Sequence, residues 1–419
     1  MTWILFVSFF VFLLMGIPVA IAIGLASFIV LFKEGMPLVI MAQRMFAGTD
    51  SFPLVAVPFF ILAGDLLAKG KVSEKLVEFA DAIFGFLKGG LSIVAVLAGM
   101  FFAAISGSGA ATTAAVGTTL VPELKKKRYN EASSAALIAA SGTIGVVIPP
   151  SVPMILYAVI ADQSVSRLFL NGFIPGVIMG LVLIAIAITQ AYRRNYPRGA
   201  EFSFGNVWNT FKEAIWGILT PVIILGGIFS GYFTPSEAAV IAVNYSLIVS
   251  LFIYRDMKLK DVFEIITRSA MTMSVVMFII ATSSILSWIL ANWSIPTAIA
   301  SGILALSSNP YVILFLVAVI VLIAGVFMET ASALIILTPV FLPLVDELGV
   351  NLVHFGLVMV IGLAIGMITP PVAINLYVAS TITGLSIEKI TKAIIPYLLG
   401  LILVLLLLLY LPLVFPVII

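Results

Sequence analysis

The sequence predicts an all-α polytopic membrane protein made of two inverted repeats, each with a re-entrant helical hairpin and a broken helix. Of the 419 residues, 62% are hydrophobic and only 10% are charged. A soluble chain needs about 25% charged residues to cover its surface. Apolar stretches of about 20 residues, long enough to cross a hydrocarbon core of about 30 Å, recur along the chain. The other two observations are an internal repeat and a one-sided distribution of basic residues.

The internal repeat is visible in glycine and proline landmarks. When the sequence is shifted by 221 positions, the interval between Pro149 and Pro370, the pair Pro149-Pro150 falls on Pro370-Pro371 and Gly145 falls on Gly366. Membrane helices share Leu and Ala by chance, so the repeat rests on these landmarks alone. They predict that the two halves fold alike.

Each half is predicted to contain the same elements in the same order. The first repeat, residues 1–198, is expected to contain scaffold spans within 1–68 (about 3–32 and 52–68), an amphipathic arm (72–88), a hairpin (89–123), a broken helix (132–162) and a clean span (168–192). A cytoplasmic linker is expected at 199–213. The second half, residues 214–419, is expected to contain a linking span (214–233), spans within 235–292 (235–254 and 268–292), an arm (294–307), a hairpin (310–345), a broken helix (352–380) and a span (394–416).

The distribution of basic residues predicts on which side of the membrane each loop lies. Basic residues cluster at 125–128, 193–198, 255–260 and 389–392. The positive-inside rule places these clusters in the cytoplasm if both hairpins are re-entrant. The repeat mate of the lysine run is acidic, Asp346-Glu347. Four spans of the first repeat and the linking span make five, an odd number, which inverts the second repeat. We therefore expect a multi-pass protein of the bacterial inner (cytoplasmic) membrane, with a cytoplasmic N-terminus and a periplasmic C-terminus.

The hairpin tips and the helix breaks are the candidate binding sites, because non-helical backbone at membrane depth must be buried or line a wet cavity. The first tip (105–113) and the first break (141–151) combine glycines, hydroxyls and paired prolines. Prolines free backbone carbonyls one turn earlier, and these carbonyls with nearby hydroxyls, such as those of Thr143 and Thr369, form an oxygen cage suited to Na⁺. The second half supplies a tip at 329–332 and a break at 366–371, with Asn375 one turn beyond.

An anionic group is expected between the tips. Helices that start near Gly109 and Thr330 would direct their positive dipole ends at the midplane. Small and hydroxyl residues also serve plain helix packing, and Glu329 is either a ligand or a helix cap. Asp65 is expected to be interfacial and solvated, and His354 to be structural or solvated.

Several function classes are excluded. The chain has no cysteine and a single histidine, which leaves no thiolate site and no histidine-based metal cluster. No H-E-x-x-H motif, no paired intramembrane aspartates and no basic patch for nucleic acid are present, so neither an enzyme nor a nucleic-acid partner is expected. An ion channel remains an alternative, because channels also use broken helices.

Two long segments of each half carry a family resemblance. The first half has ISGSGAATTAAVGTTLVPELKKKRYN and AASGTIGVVIPPSVPMILYAV, and the second has GVFMETASALIILTPVFLPLV and HFGLVMVIGLAIGMITPPVAINLYVAS. With the early FPLVAVPFFILAGDLL, these resemble the large membrane subunit of TRAP (tripartite ATP-independent periplasmic) transporters, the DctM type. The resemblance spans nearly the whole chain.

The resemblance implies an elevator-type carrier, with a fold like that of the ion transporter superfamily, driven by sodium and moving residues 89–192 and 310–393 against a scaffold in the lipid bilayer. It implies two partners, a small four-helix membrane subunit and a periplasmic solute-binding protein. It also implies import of an organic acid, of the dicarboxylate, sialic acid or sugar acid class. A stand-alone sodium/carboxylate symporter of similar fold is the alternative.

The candidate residues follow from the tips and breaks. The predicted sodium-binding residues are Ser106, Gly107, Ser108, Thr143, Gly145, Pro149, Gly325, Glu329, Thr330, Gly366 and Thr369. The predicted substrate-binding residues are Gly109, Thr112, Ser151, Ser332 and Asn375. Na⁺ is the coupling ion and no organic cofactor is expected. The family often has Pro-Pro-Val-Gly in the second break, and this chain has Ala373 in the place of that glycine. A change of the local backbone or cavity is expected there.

Overall fold

The helices follow one another in two matching series. The computed structural model describes residues 2–199, 201–307 and 309–414. The first series is α1 (Thr2–Leu14), α2 (Val19–Lys33), α3 (Val39–Thr49), α4 (Ala56–Lys69), α5 (Val72–Phe84), α6 (Gly90–Ser106), α7 (Gly109–Lys126), α8 (Glu131–Thr143), α9 (Val152–Ile160) and α10 (Val165–Arg193). The second series is α11 (Phe204–Phe229), α12 (Pro235–Ile248), α13 (Leu259–Asn292), α14 (Ile295–Leu306), α15 (Pro310–Phe327), α16 (Thr330–Glu347), α17 (Leu352–Gly366), α18 (Ile374–Thr383) and α19 (Ile387–Val414).

The two series keep the register of the sequence repeat. The hairpin helices α6 and α7 are matched by α15 and α16, and the long helix α10 is matched by α19. In each half a helix ends shortly before the proline pair and a new helix starts just after it, at Val152 and at Ile374. The prediction of an all-helical protein with two repeats, two hairpins and two broken helices is confirmed.

The N-terminal apolar run departs from the prediction. It is not a single span over 3–32 but two helices, α1 and α2, joined by a turn in which Gly16 has a φ of 80°. Leu5 near the start of α1 packs in the same apolar cluster as Val30 near the end of α2, so the two helices are antiparallel. The single-span prediction was wrong because a turn of four residues hardly lowers the mean hydropathy of a long apolar run.

The extra crossing changes the position of the N-terminus. Leu5 belongs to the same apolar cluster as Ile285 and Leu290, near the end of α13, whereas the basic cluster 255–260 lies around the start of α13. The N-terminal helix therefore begins at the end of the molecule opposite this cluster, and the prediction that both lie on the same side of the membrane was wrong. Tyr410 of α19 donates a hydrogen bond to the carbonyl oxygen of Tyr311, at the start of α15 (3.2 Å).

The predicted linker 199–213 is also corrected. Helix α11 begins at Phe204 and ends at Phe229, so most of this interval is helical, and the predicted linking span 214–233 corresponds mainly to the later part of α11. At the C-terminal end, residues 415–416 of the predicted last span lie outside the described residues.

The surface is that of a membrane protein. Eight helices of the described ranges are long and apolar enough to cross a membrane, judged by length and composition. Large apolar side chains such as Leu403 (67% exposed) and Val275 (60% exposed) face outward from these helices. Lipid is the environment in which such exposure carries no hydrophobic penalty.

Helix α5 connects the first scaffold helices to the first hairpin. Lys75 forms ion pairs with Glu213 of α11 (2.7 Å) and Glu78 (2.8 Å), and hydrogen bonds to these two carboxylates raise the pKa of Lys75 above its usual value. On the other side, the hydroxyls of Ser73 and Thr119 of α7 are 3.5 Å apart. The helix therefore contacts both the scaffold and the hairpin.

Candidate binding site between the hairpin tips

One cavity lies where both hairpin tips meet both helix breaks. It has a volume of about 370 Å³. Its wall combines the first tip (106–111), the second tip (329–331), residues flanking the two breaks, and Asp65, Arg268 and Thr272 from α4 and α13. Elements far apart in the sequence thus share a single compartment.

The N-terminal turns of four helices border this cavity. Gly109 of α7, Val152 of α9, Thr330 of α16 and Ile374 of α18 all lie in its wall and are at or next to the first residue of their helices. Each helix N-terminus carries roughly half a positive elementary charge and unpaired N–H groups. The prediction that helices start near Gly109 and Thr330 is confirmed, and the arrangement favours an anionic group in the cavity.

The first tip is held by its own hydroxyls. The chain reverses at Gly107, whose φ of 60° is a conformation that glycine adopts without strain. The hydroxyls of Ser106 and Thr112 are 2.9 Å apart, and the Thr112 hydroxyl donates to the carbonyl oxygen of Ser108 (2.8 Å). The Ser108 hydroxyl accepts a hydrogen bond from the backbone N–H of Ala111 and caps α7.

The first break packs on this tip through glycines. A Cβ atom at Gly145 would lie 2.6 Å from both the Ser108 carbonyl oxygen and the Thr112 hydroxyl, and one at Gly107 would lie 2.8 Å from the Pro150 carbonyl oxygen. Real Cβ atoms do not approach other atoms this closely. Only glycine at these two positions allows the tip and the break to form one surface.

The second tip is capped by a carboxylate. The Glu329 Oε2 atom accepts hydrogen bonds from the backbone N–H groups of Ala331 (2.9 Å) and Ser332 (3.2 Å). The same residue lines the cavity. Glu329 is therefore a helix cap, and its position leaves a role as a ligand open.

The second break also packs closely on its hairpin, and it contains Ala373, the alanine that stands where the family often has glycine. A Cβ atom at Gly366 would lie 2.3 Å from the carbonyl carbon of Gly325. Ala373 has a φ of 46° and a ψ of 72°, in the left-handed region, where an alanine is strained and a glycine is not. The backbone thus keeps a conformation suited to glycine although the residue is alanine. Both Pro149-Pro150 and Pro370-Pro371 are joined by cis peptide bonds.

Oxygen atoms suited to a cation remain free near the tips and breaks. The Thr330 hydroxyl and the Asn375 Oδ1 atom are buried without a hydrogen-bond partner among the described residues. The Thr143 hydroxyl donates to the Ala140 carbonyl oxygen (2.7 Å), and that of Thr369 to the Ile365 carbonyl oxygen (2.8 Å), which leaves their lone pairs available. Hydroxyl and amide oxygens of this kind can coordinate hard cations.

The predicted substrate-binding residues divide into two groups. Gly109 lines the cavity. Thr112, Ser151, Ser332 and Asn375 are buried behind its wall. Ser151 donates to the Val146 carbonyl oxygen (2.5 Å) and Asn375 donates to the Ala139 carbonyl oxygen (3.2 Å). Substrate contact by these four residues stays a prediction.

Two charged residues of the wall were not predicted. Asp65 of α4 accepts a hydrogen bond from the Ser269 hydroxyl (2.6 Å), and Arg268 precedes Ser269 on α13. Asp65 was predicted to lie at a solvated span end, and the predicted span 268–292 begins at Arg268. The rarity of charge within apolar segments was the signal that would have found them.

Comparison with known proteins decides the family. The family model described as "Tripartite ATP-independent periplasmic transporter, DctM component" matches residues 6–414. The chain belongs to the DctM family. The predicted resemblance is confirmed, and membership points to a transporter rather than an enzyme.

Two relatives and one solved structure illustrate the match. The isethionate TRAP transporter permease protein DctMQ of Oleidesulfovibrio alaskensis is 40% identical over 98% of this DctM chain, which spans only 65% of that protein. The C4-dicarboxylate TRAP transporter large permease protein DctM of Pseudomonas aeruginosa is 40% identical over 89% of this chain and 87% of its own length. The crystal structure of the Alcanivorax borkumensis YdaH transporter shares the fold, with a TM-score of 0.64 and 17% identity over 90% of this chain and 88% of that one.

Proposed function

We propose that this chain is the large permease subunit of a sodium-driven TRAP transporter that imports an organic acid delivered by a periplasmic solute-binding protein. The observation that carries the proposal is the single cavity between the two hairpin tips and the two breaks, bordered by four helix N-termini. A cavity of about 370 Å³ accommodates a small organic anion. The relatives named for isethionate and C4-dicarboxylates support an acid as the solute.

Sodium coupling is supported by the free oxygens beside the cavity. The Thr330 hydroxyl, the Asn375 Oδ1 atom and the lone pairs of Thr143 and Thr369 lie in the tips and breaks. A cation held there would lower the cost of bringing an anion into a membrane interior. Binding of the ion and of the solute would then favour each other, which is the basis of symport.

An elevator movement is supported by a second cavity beside the same scaffold helix. This cavity, also about 370 Å³, is lined by Ser51, Ser283, Ser284 and Ser287 of the scaffold and by Ile335 of the second hairpin. Along α13, residues 268–276 line the first cavity and residues 280–287 line the second. A domain made of 89–192 and 310–393 would pass its site from one cavity to the other by moving along α13.

The orientation follows from the basic clusters. With clusters 125–128, 193–198 and 255–260 in the cytoplasm of the inner membrane, the cavity with Arg268 opens toward the cytoplasm. Both the start of α1 and the described end of α19 then lie on the periplasmic side. A small membrane subunit would cover part of the lipid-exposed scaffold, and the binding protein would dock on the periplasmic face.

The test is uptake into proteoliposomes that contain this chain and its cognate small subunit. Radiolabelled succinate and isethionate are the probes, with and without an inward sodium gradient and with and without the binding protein. We expect uptake that needs both sodium and the binding protein. Uptake with sodium alone would overturn the three-component proposal in favour of a stand-alone symporter, and ion current without solute uptake would indicate a channel.

A further inference from the structure

Arg268 is a charged side chain that the fold leaves unpaired in the cavity. It lies on α13, exposed toward the space between the hairpin tips. Among the described residues its guanidinium forms no ion pair within 4.0 Å and no side-chain hydrogen bond. An arginine within an apolar segment is costly unless it is paired or has a function.

The other charges of the cavity are already engaged. Asp65 accepts from the Ser269 hydroxyl and Glu329 accepts from two backbone N–H groups. Two carboxylates repel an incoming anion, and Arg268 is the only basic side chain in the wall formed by the described residues. Among the side chains of the described wall, Arg268 is thus the one that offsets these two negative charges.

The internal repeat shows that the fold itself does not require an arginine here. Shifted by the repeat interval, Arg268 falls on Ala47, Thr272 on Ser51, and Ala114 on Ile335. Arg268, Thr272 and Ala114 line the first cavity, while Ala47, Ser51 and Ile335 line the second. The two cavities are thus repeat mates, and the described wall of the second contains no charged side chain. An alanine fills the structural position of Arg268.

We propose that Arg268 is the anion-recognition residue of the scaffold, which binds the acid group of the solute only when the site faces the cavity near the start of α13. This deepens, and rests on, the proposed transport of an organic acid. The guanidinium presents a planar set of donors that matches a carboxylate or a sulfonate. Because the second cavity has no counterpart, the anion meets a protein cation at one side of the membrane only.

The first test measures the charge selectivity of the cavity without any solute. The chain has no cysteine, so Ala114→Cys in the cavity wall gives a single thiol. Its modification rates are measured in nanodiscs with an anionic sulfonatoethyl and a cationic trimethylammonium methanethiosulfonate reagent. Arg268→Gln should lower the anion-to-cation rate ratio by about tenfold, because one unit charge near the thiol is removed. Arg268→Lys should retain most of the ratio.

The matched control is Arg167→Gln, which removes an exposed arginine at the start of α10, outside the cavity. It should leave the ratio unchanged. An unchanged ratio in Arg268→Gln, with an unchanged unfolding temperature, would overturn the proposal.

The second test separates this proposal from the transport function. In the full complex, Arg268→Gln should raise by about tenfold the KM for acid supplied from the side onto which this cavity opens, measured as exchange in proteoliposomes. At saturating acid it should leave the half-saturating sodium concentration unchanged. A loss of maximal rate at constant KM would overturn the recognition role. If no acid is transported but the thiol ratio still depends on Arg268, the proposed function fails and anion recognition at this site stands.

Discussion

Gly366 at the end of α17 lies directly against Gly325 of α15. A methyl group added at Gly366 would be 2.3 Å from the carbonyl carbon and 2.5 Å from the Cα of Gly325. A Cβ atom at Gly325 would lie 3.1 Å from the Cα and the carbonyl oxygen of Leu363. The second hairpin and the second broken helix therefore approach each other through backbone atoms, which cannot move aside as a side chain can.

Gly366→Ala should destabilise the protein. The methyl group has no space, and overpacking of this kind costs about 1–3 kcal/mol. Thermal unfolding of the purified protein in detergent measures the effect. Gly302→Ala on α14 is the control, because a Cβ atom there meets nothing within 4 Å. Equal stability of the two variants would contradict the close packing.

Thr143→Val and Thr369→Val should weaken sodium activation of uptake. Valine keeps the shape of the side chain and removes the hydroxyl oxygen, which is the predicted sodium ligand. The half-saturating sodium concentration should rise on the order of tenfold, since one interaction with a charged group is worth roughly 1.5–3 kcal/mol. Thr118→Val is the control, because its exposed hydroxyl makes the same type of bond to Ala114 (2.9 Å). Unchanged sodium activation in both test variants would refute the predicted sites.

Ala373→Gly should stabilise the protein. Alanine in the left-handed region costs about 1–2 kcal/mol, and the flexibility that glycine adds to the unfolded chain offsets part of this gain. We expect a net gain of about 0.5–1 kcal/mol, measured as a higher unfolding temperature. The same change in an ordinary helix, Ala270→Gly, should cost about 1 kcal/mol. A decrease in both variants would show that Ala373 is not strained.

A disulfide between Ser73→Cys and Thr119→Cys should stop transport reversibly. The two hydroxyls are 3.5 Å apart, and the bond would fix α5 to the first hairpin. Oxidation should abolish uptake and a reductant should restore it, while each single-cysteine variant stays insensitive.

The matched control is a disulfide within the scaffold, between Gly24→Cys and Thr282→Cys. A Cβ atom at Gly24 would lie 4.0 Å from the Cβ of Thr282, a separation typical of disulfides. This bond should leave uptake unchanged. Full uptake with the first disulfide closed would show that α5 and the hairpin need not move relative to each other.

Residues with an unusual backbone made the site predictable. Gly107, Gly145 and the proline pairs mark points where a helix must end, so the tips and breaks were located correctly. The same logic missed the turn at Gly16, because it lies within a run of apolar residues and only Pro18 follows as a second signal. Hydropathy measures the apolar length and not the number of helices that share it.

Contacts between neighbouring helices could not be predicted from the sequence. Arg268 faces the tips because α13 crosses beside them, and nothing in the residues near Arg268 encodes that crossing. Likewise, Thr112 and Asn375 belong to the right segments, yet their rotation about the helix axis directs them behind the wall of the cavity. A motif locates a segment, whereas the direction in which each side chain points depends on the helices packed around it.

Because one uninterrupted helix, α13, forms a wall of both cavities, the length of this helix between them fixes the distance from one cavity to the other. From Thr272 in one cavity to Ser284 in the other, the helix rises about 18 Å. If the proposed movement along α13 takes place, its length would be set by the number of residues between these two positions. An insertion of one helical turn would lengthen that movement by about 5 Å and would separate the two cavities without altering the residues of either.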